Sequence, residues 1–502
     1  MNVLIGKLLL ASTFLLLLSA CAVVPENRFY AENFETIKSD HRELRKFVEL
    51  FPKGGDLHNH FSGAVYAESY LAWAAEDDKC IHLLSKTIFF PPCALGESVV
   101  PVKSILGDKP FYSDAVDALS IRNYQQGPLS GHDQFFSTFE KFGIATYGRE
   151  GDMLAEITQR AASQNILYLE LMVVVGMAGV YDLAQNVEEN YTIEGLRGLL
   201  NGEPLRSVRD KAIIFVNNME KRQSELLHCN SENSAIGCGV TVRYIPSIVR
   251  TLPRKNVLVQ AGLVASLVAE NAKFVGINIL APEDDPIALS DYDWHMALIR
   301  DVTAQYPQGS VPVSLHAGEL TPELVSAEEL EDHIQTAISI AGATRIGHGV
   351  GVSYEKNYQS LLRKMAGEEI LVEINLTSND VILGVTGDQH PFQTFLDAGV
   401  PLAISTDDEG VSRIDLSTEY QRAIESYDLS YEQLKMLSRN SLEYSFLPGQ
   451  SLFLNAGKNS RKPVCMNYTA ECKLYLNENL KAQLQWTLER KFKDFEKIPS
   501  RS

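Results

Sequence analysis

Eight short apolar or β-branched runs between residues 53 and 407, helical patterns between them, and polar residues at the ends of four runs predict an α/β fold. The expected architecture is a (β/α)8 TIM-type barrel with a long helical insertion after strand 1 and a C-terminal helical extension. The runs cover residues 55–60, 166–174, 240–246, 274–279, 311–316, 344–348, 370–376 and 401–406. Several are almost continuously apolar, as strands buried on both faces should be. Helical periodicity precedes the second run at 152–164, the fourth at 258–272, the sixth at 322–340 and the eighth at 390–398.

More than 100 residues separate the first two runs, so the first crossover carries an insertion at about 67–135, with Cys80, Cys93 and the stretch 108–133. A second elaboration, 183–233, follows the second run. Both are expected at the C-terminal mouth, where barrel loops build substrate sites. Beyond the eighth run, 416–446 and 474–495 read as helices joined by a loop holding Cys465 and Cys472. The barrel is expected over 51–450, with a helical extension at 451–502.

Charge and composition exclude some functions. Lys and Arg number 45 against 64 Asp and Glu, a net charge of −19, which rules out a general nucleic-acid binder. A 45% hydrophobic, 22% charged chain has the makeup of a packed protein rather than a disordered one.

Lys7, the apolar run 8–18 and Ser19-Ala20-Cys21 form the three parts of an export signal at 1–20, leaving a tether and helix at 21–50. Leu18-Ser19-Ala20-Cys21 resembles a bacterial lipobox, so Cys21 is expected to carry a lipid and anchor an exported protein to a bacterial membrane, periplasmic or at the cell surface. The other six cysteines fall into neighbouring pairs, and no C-x-x-C occurs; an exported chain reads these as disulfides Cys80–Cys93, Cys229–Cys238 and Cys465–Cys472.

The chemistry gathers at the ends of four strands. His58 and His60 share one strand face at i and i+2. His316 and Glu319 end the fifth run, His348 the sixth, and Asp407 with Asp408 the eighth. Two imidazoles on one strand, a third across the barrel and a carboxylate suit one borderline cation such as Zn2+. Singly, each histidine reads more readily as structure; it is the joint placement at one barrel end that points to a metal site. His41, His82, His132, His228, His295, His333 and His390 lack such a setting and are read as surface or packing residues.

The blocks Pro52-Lys53-Gly54-Gly55-Asp56-Leu57-His58-Asn59-His60, His316-Ala317-Gly318-Glu319, Arg345-Ile346-Gly347-His348-Gly349, Thr377-Ser378-Asn379 and Ser405-Thr406-Asp407-Asp408 resemble, in order, the signature blocks of the adenosine deaminase family. The resemblance spans about 51–450, and the export signal and cysteine-bearing insertion look closest to the secreted, growth-factor-related branch. It implies one Zn2+ per chain on His58, His60, His316 and Asp407. Glu319 would be the acid toward purine N1, and His348 would orient the attacking water or accept its proton. Asp408 would meet N7, and the Ala281 backbone N3, where the family usually has glycine. Ser62 replaces an acidic residue that contacts the ribose, which opens the way to 5′-modified or phosphorylated substrates. Met172 replaces a frequent arginine.

The activity so implied is hydrolytic deamination of adenosine or 2′-deoxyadenosine to inosine or deoxyinosine plus ammonia, with a small purine nucleoside as the partner. Adenine, AMP or an N6-substituted adenosine are alternative substrates, and a catalytically reduced nucleoside-binding surface lipoprotein is the alternative class; a homodimer stays open. Polynucleotide and cytidine deaminases are excluded because P-C-x-x-C is missing. Binuclear barrel hydrolases are disfavoured because the fourth run ends Gly276-Ile277-Asn278-Ile279, with no lysine.

Overall fold

The computed structural model describes residues 30–93, 98–456 and 460–499. The expected export signal, with Cys21, lies outside the described residues. Eight parallel strands form the centre: β1 (Gly54–His60), β2 (Ile166–Val173), β3 (Thr241–Val249), β4 (Asn278–Leu280), β5 (Ser314–Ala317), β6 (Arg345–His348), β7 (Leu371–Ile374) and β8 (Leu402–Ile404). They pair as two four-stranded sheets, β1 to β4 and β5 to β8. Single bridges at Ile277 with Val313 and at Asn59 with Asp407 join the sheets at both seams and close the barrel.

All eight expected runs become strands because each offers an apolar stretch that burial on both faces rewards. The fourth is shorter than its run, with Phe274 and Ile277 reduced to isolated bridges. The expected helix at 322–340 is mostly absent: only His333–Ser339 is helical. Glu328, Glu331 and Asp332 set like charges at helical spacing, and Glu329 turns back to accept from the Ser326 amide and hydroxyl. The helix starts only where Glu355 accepts from the Ile334 and Gln335 amides.

The insertion is not purely helical. Cys80–His82 lies between Ile88–Phe89 and Val99–Pro101 in a small antiparallel sheet, where the β-branched residues Ile81, Ile88 and Val99 turn inward. Helices Lys109–Ala118 and Gly131–Phe142 follow. The second elaboration is three helices, Met177–Ala184, Ile193–Asn201 and Glu203–Leu226. All three expected disulfides are formed.

The other end of the barrel is sealed by aromatic packing. Phe51, just before β1, lies 5.6 Å from Phe492 and 5.7 Å from Phe495 on the C-terminal helix Leu480–Phe495. Helix Tyr431–Glu443 backs β1 so closely that a Cβ on Gly54 would stand 2.4 Å from the Ser438 carbonyl. Both ends of the described chain thus support the floor, leaving the mouth to the insertions. Among the described residues no helix is long and apolar enough to cross a membrane.

Candidate metal centre and cavity

The closure of the barrel assembles the site. The His60 amide donates to the Asp407 carbonyl and the Asp407 amide to the His58 carbonyl, at 2.8 and 2.9 Å. Behind this seam, buried Asp56 accepts from the Thr406 hydroxyl at 2.6 Å and the Asn59 amide at 3.1 Å. Asp407 itself has φ +60°, a left-handed conformation held by those bonds, which swings its carboxylate inward.

His58, His60, His316 and Asp407 come together, with one ligand atom of each within 4.8 Å of the others. Asp407 Oδ1 lies 3.2 Å from both His58 Nε2 and His60 Nε2. His60 Nε2 and His316 Nε2 are 3.1 Å apart. Supporting bonds orient these rings. His58 Nδ1 donates to Glu373 Oε2 at 2.7 Å, and His316 Nδ1 meets the side-chain amide of Asn278, 3.1 Å from Oδ1 and 3.0 Å from Nδ2. His58 therefore turns its Nε2 toward Asp407, and His60 and His316 turn theirs toward each other. His58 Nε2 is buried without a hydrogen-bond partner. Nitrogen and carboxylate atoms this close need a proton or a metal cation between them, and three imidazoles plus one carboxylate match a mononuclear zinc-type ligand set.

The electrostatics agree. Burial opposes charge on His58, yet Asp407 and Glu373 outweigh it and push its pKa to about 10. Burial also opposes charge on Asp407, but His58 and His60 hold it well below the usual carboxylate range. His60 and His316 are pushed down instead, mainly by burial, so the charge gathers on His58. Glu319 differs: burial, with Asp407 and Glu283 nearby, raises its pKa far above normal, so it keeps its proton. Asp408 is raised in the same way by burial and by Asp407. Its Oδ1 is buried without a partner, on the cavity wall.

Glu319 is aimed by a turn at Gly318, φ +70°. The Gly318 and Glu319 amides donate to the two oxygens of Glu283 at 3.0 and 2.9 Å. Glu283 also accepts from His333 Nδ1 at 2.6 Å. Burial would raise its pKa, but His333 and Arg250 bring it down to about 2. Glu319 Oε1 then lies 3.4 Å from His348 Nδ1.

His348 is oriented by a chain of unambiguous sense. The Phe392 amide donates to His390 Nδ1 at 3.1 Å, which leaves the hydrogen of His390 on Nε2. That Nε2 donates to Asn379 Oδ1 at 3.1 Å. Asn379 Nδ2 then donates to His348 Nδ1 at 2.8 Å. Neutral His348 thus carries its hydrogen on Nε2, which is buried without a partner. Burial depresses its pKa to about 3.

Ala281 adopts φ +85°, the reason glycine is the easier residue there, and its carbonyl accepts from Arg250 Nε at 2.9 Å. Ser62, Met172, Ala281 and Asp408 all line the cavity over the cluster. Sequence reasoning missed Glu373, Asn278 and Glu283. It also read His333 and His390 as packing residues, whereas the structure makes them supports of Glu283 and His348. A lone carboxylate or amide inside an apolar strand, as in Leu371-Val372-Glu373-Ile374, was the available signal, since a buried polar group needs a partner.

Fold and site together define a (β/α)8 barrel with a mononuclear, zinc-type ligand set at its C-terminal mouth. Residues 223–452 match the family model described as adenosine deaminase. His316, Glu319, His348, Asp407, Asp408 and Ala281 lie inside the matched segment; His58, His60 and Ser62 precede it. The chain is 34% identical over 171 residues to an adenosine deaminase of Enterococcus faecalis, covering 34% of this chain and 47% of that protein. It is 36% identical over 152 residues to one of Shewanella loihica, covering 30% and 43%. The chain thus matches just under half the length of these relatives. Among solved structures it resembles an adenine deaminase of Arthrobacter aurescens, with TM-score 0.52 and 15% identity over 88% of this chain and 99% of that one. It also resembles an Arabidopsis N6-mAMP deaminase, with TM-score 0.53 and 19% identity over 89% and 99%. At these identities the likeness is one of fold.

Proposed function

We propose that this protein is a zinc-dependent hydrolase that deaminates a 6-aminopurine nucleoside, with adenosine or 2′-deoxyadenosine giving inosine or deoxyinosine and ammonia. The observation that carries this reading is the convergence of His58, His60, His316 and Asp407 beside a protonated Glu319. A divalent ion on these ligands would supply the nucleophile, because it lowers the pKa of water from 15.7 to about 7. Glu319 then holds the proton that goes to purine N1 as the water oxygen adds at C6. Asp408 donates to N7. His348, whose Nδ1 is already taken by Asn379, turns an Nε2–H toward the attacking oxygen and orients it rather than taking its proton. The Ala281 backbone faces N3.

The relatives named adenosine deaminase support purine deamination as the class of reaction, as does the Arabidopsis neighbour named for an N6-methylated nucleotide. A barrel amidohydrolase of related fold is described with bound Zn. Three disulfides support export to an oxidising compartment, and anchoring through a lipid on Cys21 belongs to the same reading. The test measures bound metal and ultraviolet change with adenosine for the wild type and Glu319→Gln. The variant is expected to keep metal and lose turnover, and chelation of the wild type to abolish activity until zinc is returned. Full activity without either Glu319 or metal would overturn the reading.

A further inference from the structure

The cavity above the cluster encloses about 760 Å³, in the upper part of the roughly 300–1,000 Å³ typical of ligand sites. Its chemistry is lopsided. Polar groups able to hold a purine gather at the deep end, around Glu319, His348 and Asp408. The walls beyond are supplied by this chain's own elaborations: Phe135, Phe136 and Phe139 from helix Gly131–Phe142, and Phe215 and Met219 from helix Glu203–Leu226. Met153 adds to them from the helix before β2.

Among the described residues no lysine or arginine lines the cavity, and the charged group outside the deep end is a carboxylate, Glu150. Arg250 is fully buried behind Ala281, where Nε donates to that carbonyl and Nη1 stands 3.9 Å from Glu283, and it does not reach the cavity wall. A phosphate on the substrate would therefore meet no cation. The apolar lining continues to the surface, where Val174 and Phe215 are 42% and 40% exposed. Apolar side chains left open at the mouth of a pocket are the mark of an apolar partner.

Resting on the deaminase reading above, we propose that the preferred substrate is a 6-aminopurine nucleoside bearing an uncharged, apolar substituent at the end remote from the amino group, an alkyl or alkylthio group in place of the 5′-hydroxyl. The reaction is otherwise unchanged. Water supplies the oxygen that replaces nitrogen at C6, ammonia leaves, and the substituent passes through intact while its burial against Phe135, Phe139 and Phe215 improves binding. Phosphorylated substrates, which the loss of the acidic residue at Ser62 leaves open, are disfavoured by the walls of the cavity.

The experiment compares kcat/KM of the zinc-loaded protein for adenosine, 5′-deoxy-5′-methylthioadenosine, its propylthio homologue and AMP. Each added methylene is expected to raise kcat/KM about 4-fold, the value of one buried CH2. Both thioethers should exceed adenosine, and AMP should fall at least about 100-fold below the methylthio compound. In Phe215→Ser, a change at a half-exposed position, the thioethers should lose more than adenosine does. Adenosine turned over faster than both thioethers, or AMP matching them, overturns this proposal and leaves the deaminase reading standing. No turnover of any nucleoside by metal-loaded protein overturns both.

Discussion

His390 sets the hydrogen-bonding sense of His348 although Asn379 stands between the two rings. The backbone amide of Phe392 occupies His390 Nδ1, so His390 must donate to Asn379, and Asn379 must donate to His348. None of the three belongs to the four-residue ligand cluster. Replacing Asn379 with Leu is expected to free the His348 ring and lower kcat/KM about 10- to 100-fold, the usual cost of losing an outer partner at such a site. Metal content should stay at the wild-type value. Steady-state kinetics beside metal analysis check this; unchanged kinetics would show that the chain of bonds is idle.

Glu373 has the opposite signature. One oxygen accepts from His58, while the other accepts from Ser314 and the buried guanidinium of Arg345. Arg345 is shared with Glu170, so two buried carboxylates serve one arginine and one ligand histidine. Glu373→Gln keeps the shape and removes the charge that holds Nδ1–H of His58. Metal affinity should fall about 10- to 100-fold, measured by chelator competition. Glu373→Ala should also lower stability, by up to about 3–5 kcal/mol, because a buried cation loses a partner.

The barrel was legible because its signals are local: an apolar run, a turn, a helical period. The ligand cluster was legible because histidines ending buried strands have few other uses. What stayed hidden depends on distant packing. Glu283 reads as one more acid in Glu283-Asp284-Asp285 until the Gly318 turn places two amides on it. His390 sits in a segment with helical character, and nothing nearby in sequence announces Asn379 as its acceptor. The failed helix at 322–332 has a local cause, since apolar spacing was weighed there and like-charge crowding was not.

The close approach of Gly63 to Asp408 yields a test of the deep end of the cavity. A Cβ at position 63 would lie 1.5 Å from Asp408 Oδ1 and 2.4 Å from its Cγ, so the whole carboxyl must move. Val411 and Gly410 also donate their amides to the Gly63 carbonyl, which fixes the two loops against each other. Gly63→Ala should cost about 1–3 kcal/mol in stability by overpacking. It should lower kcat/KM at least about 10-fold by displacing Asp408. Thermal unfolding and kinetics on one preparation separate these effects, and wild-type kinetics would show that Asp408 has no fixed role.

His132 should make the cavity wall pH-sensitive. It lies on helix Gly131–Phe142, with Nε2 3.2 Å from Asp284 Oδ1 and Nδ1 3.0 Å from Asp133 Oδ1. Asp284 raises its pKa most, burial opposes, and Asp133 adds to the rise. A histidine whose folded pKa lies above its unfolded value of 6.5 binds more protons when folded. Its stabilising effect is therefore complete below 6.5 and is lost as pH climbs through the raised value. The pair is partly exposed, so the effect is of order 0.2–1 kcal/mol, or about 1.4- to 5-fold in local opening. Amide exchange over residues 131–142, corrected for its intrinsic rate, should show that much more protection at about pH 5.5 than at about pH 9. The difference should vanish in His132→Asn, while equal pH dependence in wild type and variant would remove His132 as its cause. Because this helix carries Phe135, Phe136 and Phe139 into the cavity, the same titration should weaken binding of apolar nucleosides more than of adenosine as pH rises.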